Sequence, residues 1–171
     1  MPPTPSNGSE VPDWNRERPE RFWEPSKQLL RSIRKYQHWQ AKGGLLGSVF
    51  KRRWVLSHRF WSVVTGADIP LNCHLGGGLL LPHPNGIVIH PAAVIGNNCL
   101  IFQQVTIGQQ NGGVPTLRDH VDVGAGAKIL GKVELGAHSR VGANAVVLSD
   151  VASGTTVVGI PARELKQAPG P

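Results

Sequence analysis

The 171-residue sequence has only two cysteines, Cys73 and Cys99, with no Cys-x-x-Cys spacing. That excludes a disulfide scaffold and a zinc–cysteine module, and it fits a reducing compartment, so a cytoplasmic location is expected. No run of about 18 apolar residues is present, so no transmembrane helix is expected. The polar, Pro-rich stretch from Met1 to Glu20 lacks the apolar region of a secretory signal. No His, Cys or Asp spacing suggests metal ligation, and no metal is expected. Aromatic residues are scarce at 6%, and nine of the ten Phe, Trp and Tyr residues precede Gly66; only Phe102 follows it.

What is abundant is glycine (21 residues), proline (14) and positive charge, with a net charge of +7. Position sorts all three. Residues 1–66 hold 12 of the 18 Lys and Arg and 5 of the 11 acids, which accounts for the whole +7; residues 67–171 hold six of each. Sixteen glycines follow Gly66. Two architectures therefore meet near Gly66. The basic half carries no zinc-finger, helix-turn-helix or aromatic RNA-binding signature, so nucleic acid is not an expected partner.

Residues 1–24 read as a Pro-rich, flexible arm, because Pro2, Pro3, Pro5, Pro12 and Pro19 block regular structure. Trp14, Phe22 and Trp23 are the residues that would dock it on the body. Residues 25–66 read as a basic amphipathic helical segment. Ser26 is the expected N-cap of a helix over about 27–41, with Leu29, Leu30, Ile33, Tyr36 and Gln37 on one face. Gly43-Gly44 breaks it. A second helix over about 45–65 carries Leu46, Val49, Phe50, Trp54, Leu56, Phe60, Trp61 and Val64, and Gly66 stops it. Its apolar face is expected to pack on the next domain; peripheral contact with a membrane surface is the alternative.

The domain over 67–165 is a six-residue repeat. From Ile69, every sixth residue is apolar: Ile69, Leu75, Leu81, Ile87, Ala93, Cys99 and Val105. A parallel series reads Leu71, Gly77, His83, Ile89, Ile95, Ile101 and Ile107. The phase breaks at Gly108–Leu117 and resumes as Val123, Ile129, Leu135, Val141 and Val147. Val121, Ala127, Val133, Ser139 and Ala145 stand two places earlier. The period predicts a triangular parallel β-helix in which each hexad makes one short face, its large aliphatic points inward, and small residues fit the corners. Three hexads would make one coil of 18 residues, and residues 68–160 without the loop give about five coils. A narrow interior also accounts for the missing aromatics. The expected class is mainly β, a β-helix preceded by two short α-helices, with a projecting loop at 108–117 and a short tail at 166–171.

Ordered motifs across this domain resemble one family. They are Ala67-Asp68-Ile69, Pro82-His83-Pro84-Asn85-Gly86-Ile87-Val88-Ile89 and Gln103-Gln104-Val105-Thr106-Ile107-Gly108. Gly124-Ala125-Gly126-Ala127-Lys128-Ile129-Leu130-Gly131, Val141-Gly142-Ala143-Asn144-Ala145-Val146-Val147 and Val158-Gly159-Ile160-Pro161-Ala162-Arg163 follow. Together they are similar to the serine O-acetyltransferases, hexapeptide-repeat enzymes with a left-handed β-helix. The resemblance implies acetyl-CoA as co-substrate and direct transfer of the acetyl group to an acceptor hydroxyl, L-serine in the family. It also implies a homotrimer with active sites between subunits.

A histidine suits the chemistry because its ordinary pKa, near 6.5, lets it take a hydroxyl proton close to neutral pH. His83 stands at an inward or corner position of a hexad, between Pro82 and Pro84. Asp68 lies 15 residues earlier, three short of an 18-residue coil, which puts it on the neighbouring coil within reach of one ring nitrogen. In this reading His83 is the general base and Asp68 orients it. Carried over from the family by position, Gly108, Ala125 and Ala143 line the path of the CoA arm, and Arg140 and Arg163 meet its phosphates. His90 and Asn85 are weaker candidates for acceptor contacts. His74, His120 and His138 read as surface residues.

Departures from the family bear on the acceptor. The residue before His83 is Pro82, where the family has aspartate. The loop reads Gly112-Gly113-Val114-Pro115 and lacks the family's Arg-His pair, which handles the charged ends of the amino acid. The closing Ala168-Pro169-Gly170-Pro171 does not resemble the tail by which the family binds cysteine synthase, so that partner is not expected. Two acceptors stay open, L-serine and another hydroxyl such as that of a sugar, an exopolysaccharide or a biosynthetic intermediate. A non-catalytic trimeric scaffold is the reading from another class.

Overall fold

The computed structural model describes residues 10–165. Residues 1–9 and 166–171, which hold the start of the expected arm and the expected tail, lie outside the described residues. A 3-10 turn at Trp14–Arg16 is followed by α1 (Pro25–Lys42) and α2 (Gly44–Thr65). Short strands come next: β1 (His74–Leu75), β2 (Val88–Ile89), β3 (Val94–Ile95), β4 (Leu100–Ile101), β5 (Thr106–Gly108), β6 (Thr116–Leu117) and β7 (Asp122–Val123). The series ends with β8 (Lys128–Leu130), β9 (Glu134–Leu135), β10 (Arg140–Val141), β11 (Val146–Val147), β12 (Thr156–Val158) and β13 (Arg163–Glu164).

The strands stack into three parallel sheets, β1-β3-β6-β9, β2-β5-β8-β11 and β4-β7-β10-β12, the faces of a triangular β-helix of about five coils. β13 closes the last sheet antiparallel to β12. Each strand pairs with the strand one coil away, so every coil is held by its neighbours' backbones.

The interior is a stack of aliphatic columns. Ile69, Ile89, Ile107, Ile129 and Val147 fill one face from within, and each is essentially inaccessible to solvent. Burying one such side chain contributes about 1.5–3 kcal/mol. A second buried residue stands two places before each of them: Ala67, Ile87, Val105, Ala127 and Ala145.

The regular 18-residue coil is interrupted, which corrects the expectation. Pairings that span neither interruption are 18 residues apart through the middle coils, as in Val88 with Thr106 and Lys128 with Val146, and shorten to 16 in the last coil, as in Arg140 with Thr156 and Leu135 with Val151. Pairings that span Pro82–Gly86 are 20 apart: Asp68 with Val88, His74 with Val94, Leu80 with Leu100. Those that span the loop after Gly108 are 22 apart, as in Thr106 with Lys128. The large inward residues therefore run Ile69, Leu75, Leu81 and then skip eight to Ile89. The series begun at Ile69 crosses from one buried register to the other at Pro82–Gly86. Both registers are buried, so apolar periodicity cannot reveal a slip of two. His83 falls inside the slip, on an exposed turn rather than at an inward or corner position.

Two edges of the prism are built from stacked left-handed residues. One carries Gly66, Gly86, Gln104, Gly126 and Asn144 (φ 66°, 68°, 59°, 74°, 58°), the other Gly78, Asn98, His120, His138 and Gly154 (φ 74°, 58°, 56°, 60°, 72°).

Helix α1 starts at Pro25, and Ser26 is not its cap. Proline suits the first helical position because the missing N–H would have no intrahelical partner. The Glu24 carboxylate before it accepts from the Glu20 and Arg21 N–H groups (2.5 and 2.7 Å) and pairs with Lys27 at 2.9 Å. Leu29, Leu30 and Ile33 are buried. Arg34 donates to the carbonyls of Leu75 and Gly76, and Gln37 to those of Leu71 and Cys73, so α1 closes the first coil.

The expectation that α2 packs its apolar face on the β-helix does not hold. α2 packs on α1 through Trp39 stacked on Phe50 (4.5 Å), and Trp61 meets Phe22 and Trp23 edge-on. Only Gly47, Trp61 and Thr65 are buried, while Leu45, Leu46, Val49, Leu56, Phe60 and Val63 face solvent. α2 meets the first coil at His58, whose Nε2 lies 2.9 Å from the Ile69 carbonyl, and Trp61 joins the buried core.

The described part of the arm, residues 10–24, is docked. Glu17 pairs with Arg34 at 3.1 Å, and the Arg34 guanidinium sits over the Trp14 ring at 5.4 Å. Asn97 and Asn98 donate to the carbonyls of Glu10 and Val11 (3.0 and 3.1 Å), and the Arg16 guanidinium donates to the Asn98 carbonyl.

Candidate active site

His83 sits on a turn that the two extra residues push outward from the edge of Gly66, Gly86 and Gln104. Prolines on both sides of it fix φ and withhold N–H donors. The turn is tied on three sides: Gly86 N–H donates to the Gly66 carbonyl (2.9 Å), Gln104 N–H to the Asn85 carbonyl (2.9 Å), and Ile87 N–H to the Pro84 carbonyl (3.2 Å). Gly66 is needed twice. Its φ of 66° ends α2, and a Cβ there would lie 2.8 Å from Asn85 Nδ2. The end of the helical segment thus seats the turn that carries His83.

Asp68 begins the adjoining face, two residues past Gly66. Its N–H donates to the Ile87 carbonyl (2.8 Å), and its carbonyl accepts from Ile89 N–H (3.0 Å). The Asp68 and His83 side chains are both exposed and flank the same edge. Among the described residues no hydrogen bond or ion pair joins them.

The same edge continues through Ala125 and Ala143. Gly126 N–H donates to the Gln103 carbonyl, and Asn144 N–H to the Ala125 carbonyl. With coils about 4.8 Å apart, Ala125 lies about 10 Å and Ala143 about 14 Å along the axis from the His83 turn. His83, Asn85, Ala125 and Ala143 therefore share one edge. Gly108 and His90 stand on the opposite edge of the Asp68 face; His90 N–H donates to the Ile107 carbonyl, and its Nδ1 accepts from Ala92 N–H at 3.2 Å.

Arg140 lies on the third face, three residues before Ala143, with its Nε 3.7 Å from Asp122. Arg163 is exposed on β13 at the far end of the prism. The loop after Gly108 is a tight hairpin closed by reciprocal bonds between Gln110 and Gly113 (3.0 Å each).

Two residues of the site edge received no role from the sequence. Lys128 Nζ donates to the Gln104 carbonyl (2.7 Å), and Gln103 Oε1 is buried without a partner among the described residues. Both lie inside motifs quoted for the resemblance, which was the available signal. The cysteines do not contribute: burial, and next the Asp68 charge, pushes the Cys73 thiol up to about 12. Burial pushes Cys99 up to about 12 as well, so neither is a thiolate near neutral pH.

No protein-family model matches the chain. Among curated proteins it is similar to a serine acetyltransferase of Synechococcus elongatus, 46% identical over 113 residues, which is 64% of this chain and 46% of that protein. The chain spans about half the length of the curated relatives it matches. Its structure is similar to the soybean serine acetyltransferase complexed with serine and to a serine acetyltransferase in complex with CoA. Each has a TM-score of 0.70 and 32% identity, covering 84% of this chain and 58% of the other. In sequence over 113 residues and in fold over 84% of its length, the chain thus resembles the serine acetyltransferases.

Proposed function

We propose that this chain is the catalytic part of an acetyl-CoA-dependent O-acetyltransferase of serine acetyltransferase type. The observation that carries the reading is the single prism edge on which a rigid, exposed histidine turn lines up with Ala125 and Ala143. Small side chains along that edge leave room for the thin arm of CoA to lie parallel to the axis. Arg140 and Arg163, toward the far coils, suit the nucleotide phosphates.

His83 acts as general base. It takes the proton of the acceptor hydroxyl as that oxygen bonds to the thioester carbonyl carbon. The C–S bond then breaks, and His83 returns the proton to the departing sulfur, so protons balance without any other reactant. Asp68, across the edge, supplies negative charge that favours the imidazolium. A homotrimer with its sites between subunits completes the proposal, the hairpin at Gln110–Gly113 projecting toward a neighbour.

One observation favours an acceptor other than L-serine. The loop segment 109–115 presents amide and apolar groups (Gln109, Gln110, Asn111, Val114) and no charged side chain. An amino acid buried beside it would keep a carboxylate and an ammonium without partners, which is costly, whereas sugar hydroxyls match amides. Thiol release from acetyl-CoA, followed with L-serine and with a panel of sugars as acceptors, tests both points. Saturable release with L-serine would remove the sugar reading. No release with any acceptor would remove the transferase reading.

A further inference from the structure

We infer that α2 docks in the plane of an anionic phospholipid surface through the stripe Leu45, Val49, Leu56, Phe60 and Val63. At about 100° per residue these five side chains fall within about 60° of the helix circumference, along about 27 Å of its length. They are exposed, Leu45 by 90%, Leu56 by 67% and Val63 by 83%. Single exposed apolar residues need no explanation, but a continuous stripe does.

Charge selects the occupant. Residues 25–66 contain nine Lys and Arg and no Asp or Glu. Arg52 and Arg59 border the stripe on one side and Arg53 on the other, and all three are exposed. Two copies meeting stripe to stripe would bring these guanidinium groups together with no acid on either helix to neutralise them. The β-helix offers no excess of acid either, since residues 67–171 hold six of each sign. A bilayer rich in anionic headgroups supplies both partners: an apolar boundary for the stripe and spread negative charge for the arginines, whose stems reach along the helix. Among the described residues no helix is long and apolar enough to cross a membrane, so the geometry is that of a helix lying on the surface.

Flotation of the full chain tests this. Vesicles of phosphatidylcholine alone are compared with vesicles of equal parts phosphatidylcholine and phosphatidylglycerol. The protein is expected to float with the anionic vesicles only, and less so as salt rises. The pair Leu56→Gln and Val63→Gln, and separately the pair Arg52→Gln and Arg59→Gln, should each lower the bound fraction about tenfold. All four residues face solvent, and unchanged far-UV circular dichroism and unfolding temperature identify folded variants. Failure of the parent chain to float, or flotation of either variant at the parent's level, overturns the inference. So does a loss of flotation accompanied by a fall in the light-scattering mass, which would assign the stripe to a second copy.

Discussion

The imidazoles of His120 and His138 stack with centroids 4.8 Å apart and planes 10° from parallel, and both direct Nε2 to one carboxylate, that of Glu10 (2.6 and 3.0 Å). The two histidines occupy successive left-handed corners of one edge, so the coil repeat itself sets their stacking. Glu10 comes from the arm, more than a hundred residues earlier in the chain. Its N–H donates to Asp119 Oδ2 at 2.8 Å, so the residue is held through side chain and backbone.

Glu10→Gln should therefore loosen the arm without touching the β-helix. Hydrogen exchange is expected to rise across residues 10–16 and to stay unchanged in β5, β8 and β11. Unaltered exchange in the arm would show that the backbone bonds to Asn97, Asn98 and Asp119 suffice.

Acid should release the arm through its carboxylates. The hydrogen bond from His138, with the charges of His120 and His138 added, holds Glu10 below its ordinary 4.5. The Arg21 N–H first, and Lys27 next, hold Glu24 down to about 2. A carboxyl depressed on folding stabilises the docked state above its unfolded pKa and loses that effect as pH falls through the folded one. The contribution is thus complete above pH 4.5 and declines toward pH 2. The emission of Trp14 and Trp23 should shift to the red over that interval. A shift centred near pH 6.5, the ordinary histidine range, would put control on the imidazoles instead.

His83→Ala should lower acetyl transfer by about 10²–10⁴-fold, the usual worth of a general base. The turn is held by backbone bonds of Gly86, Asn85 and Ile87, so circular dichroism and mass should not change. Near-parental thiol release from this variant would exclude His83 as the base.

Ile129→Ala removes a side chain from the middle of an interior column, with Ile107 and Val147 on the coils either side. The cost should be about 2–5 kcal/mol, read from chemical denaturation. The same change at exposed Leu148 should cost little, and equal losses at the two sites would contradict the column.

How much of this was legible beforehand varies by residue. The aliphatic interior, the coil number and the stop of α2 at Gly66 follow from local rules: a period of six, and glycine's freedom at positive φ. The slip at Pro82–Gly86 was hidden because Ile87 and Ile89 are both buried, and that slip moved His83 from the interior to an exposed turn. The Glu10, His120 and His138 cluster had no local signal, since corner stacking alone brings 120 over 138. The outward face of α2 was equally hidden, because the sequence shows that a helix has an apolar side but not what that side meets.

The sequence by itself determined the repeat, the aliphatic interior, and the split into a basic helical part and a neutral β-helix. Only the tertiary structure decided that His83 shares an edge with Ala125 and Ala143, that the arm is latched at Glu10, and that α1 rather than α2 closes the first coil. The reason is that periodicity reports which side chains avoid water, whereas placing residues from different coils beside one another depends on the length of every turn between them.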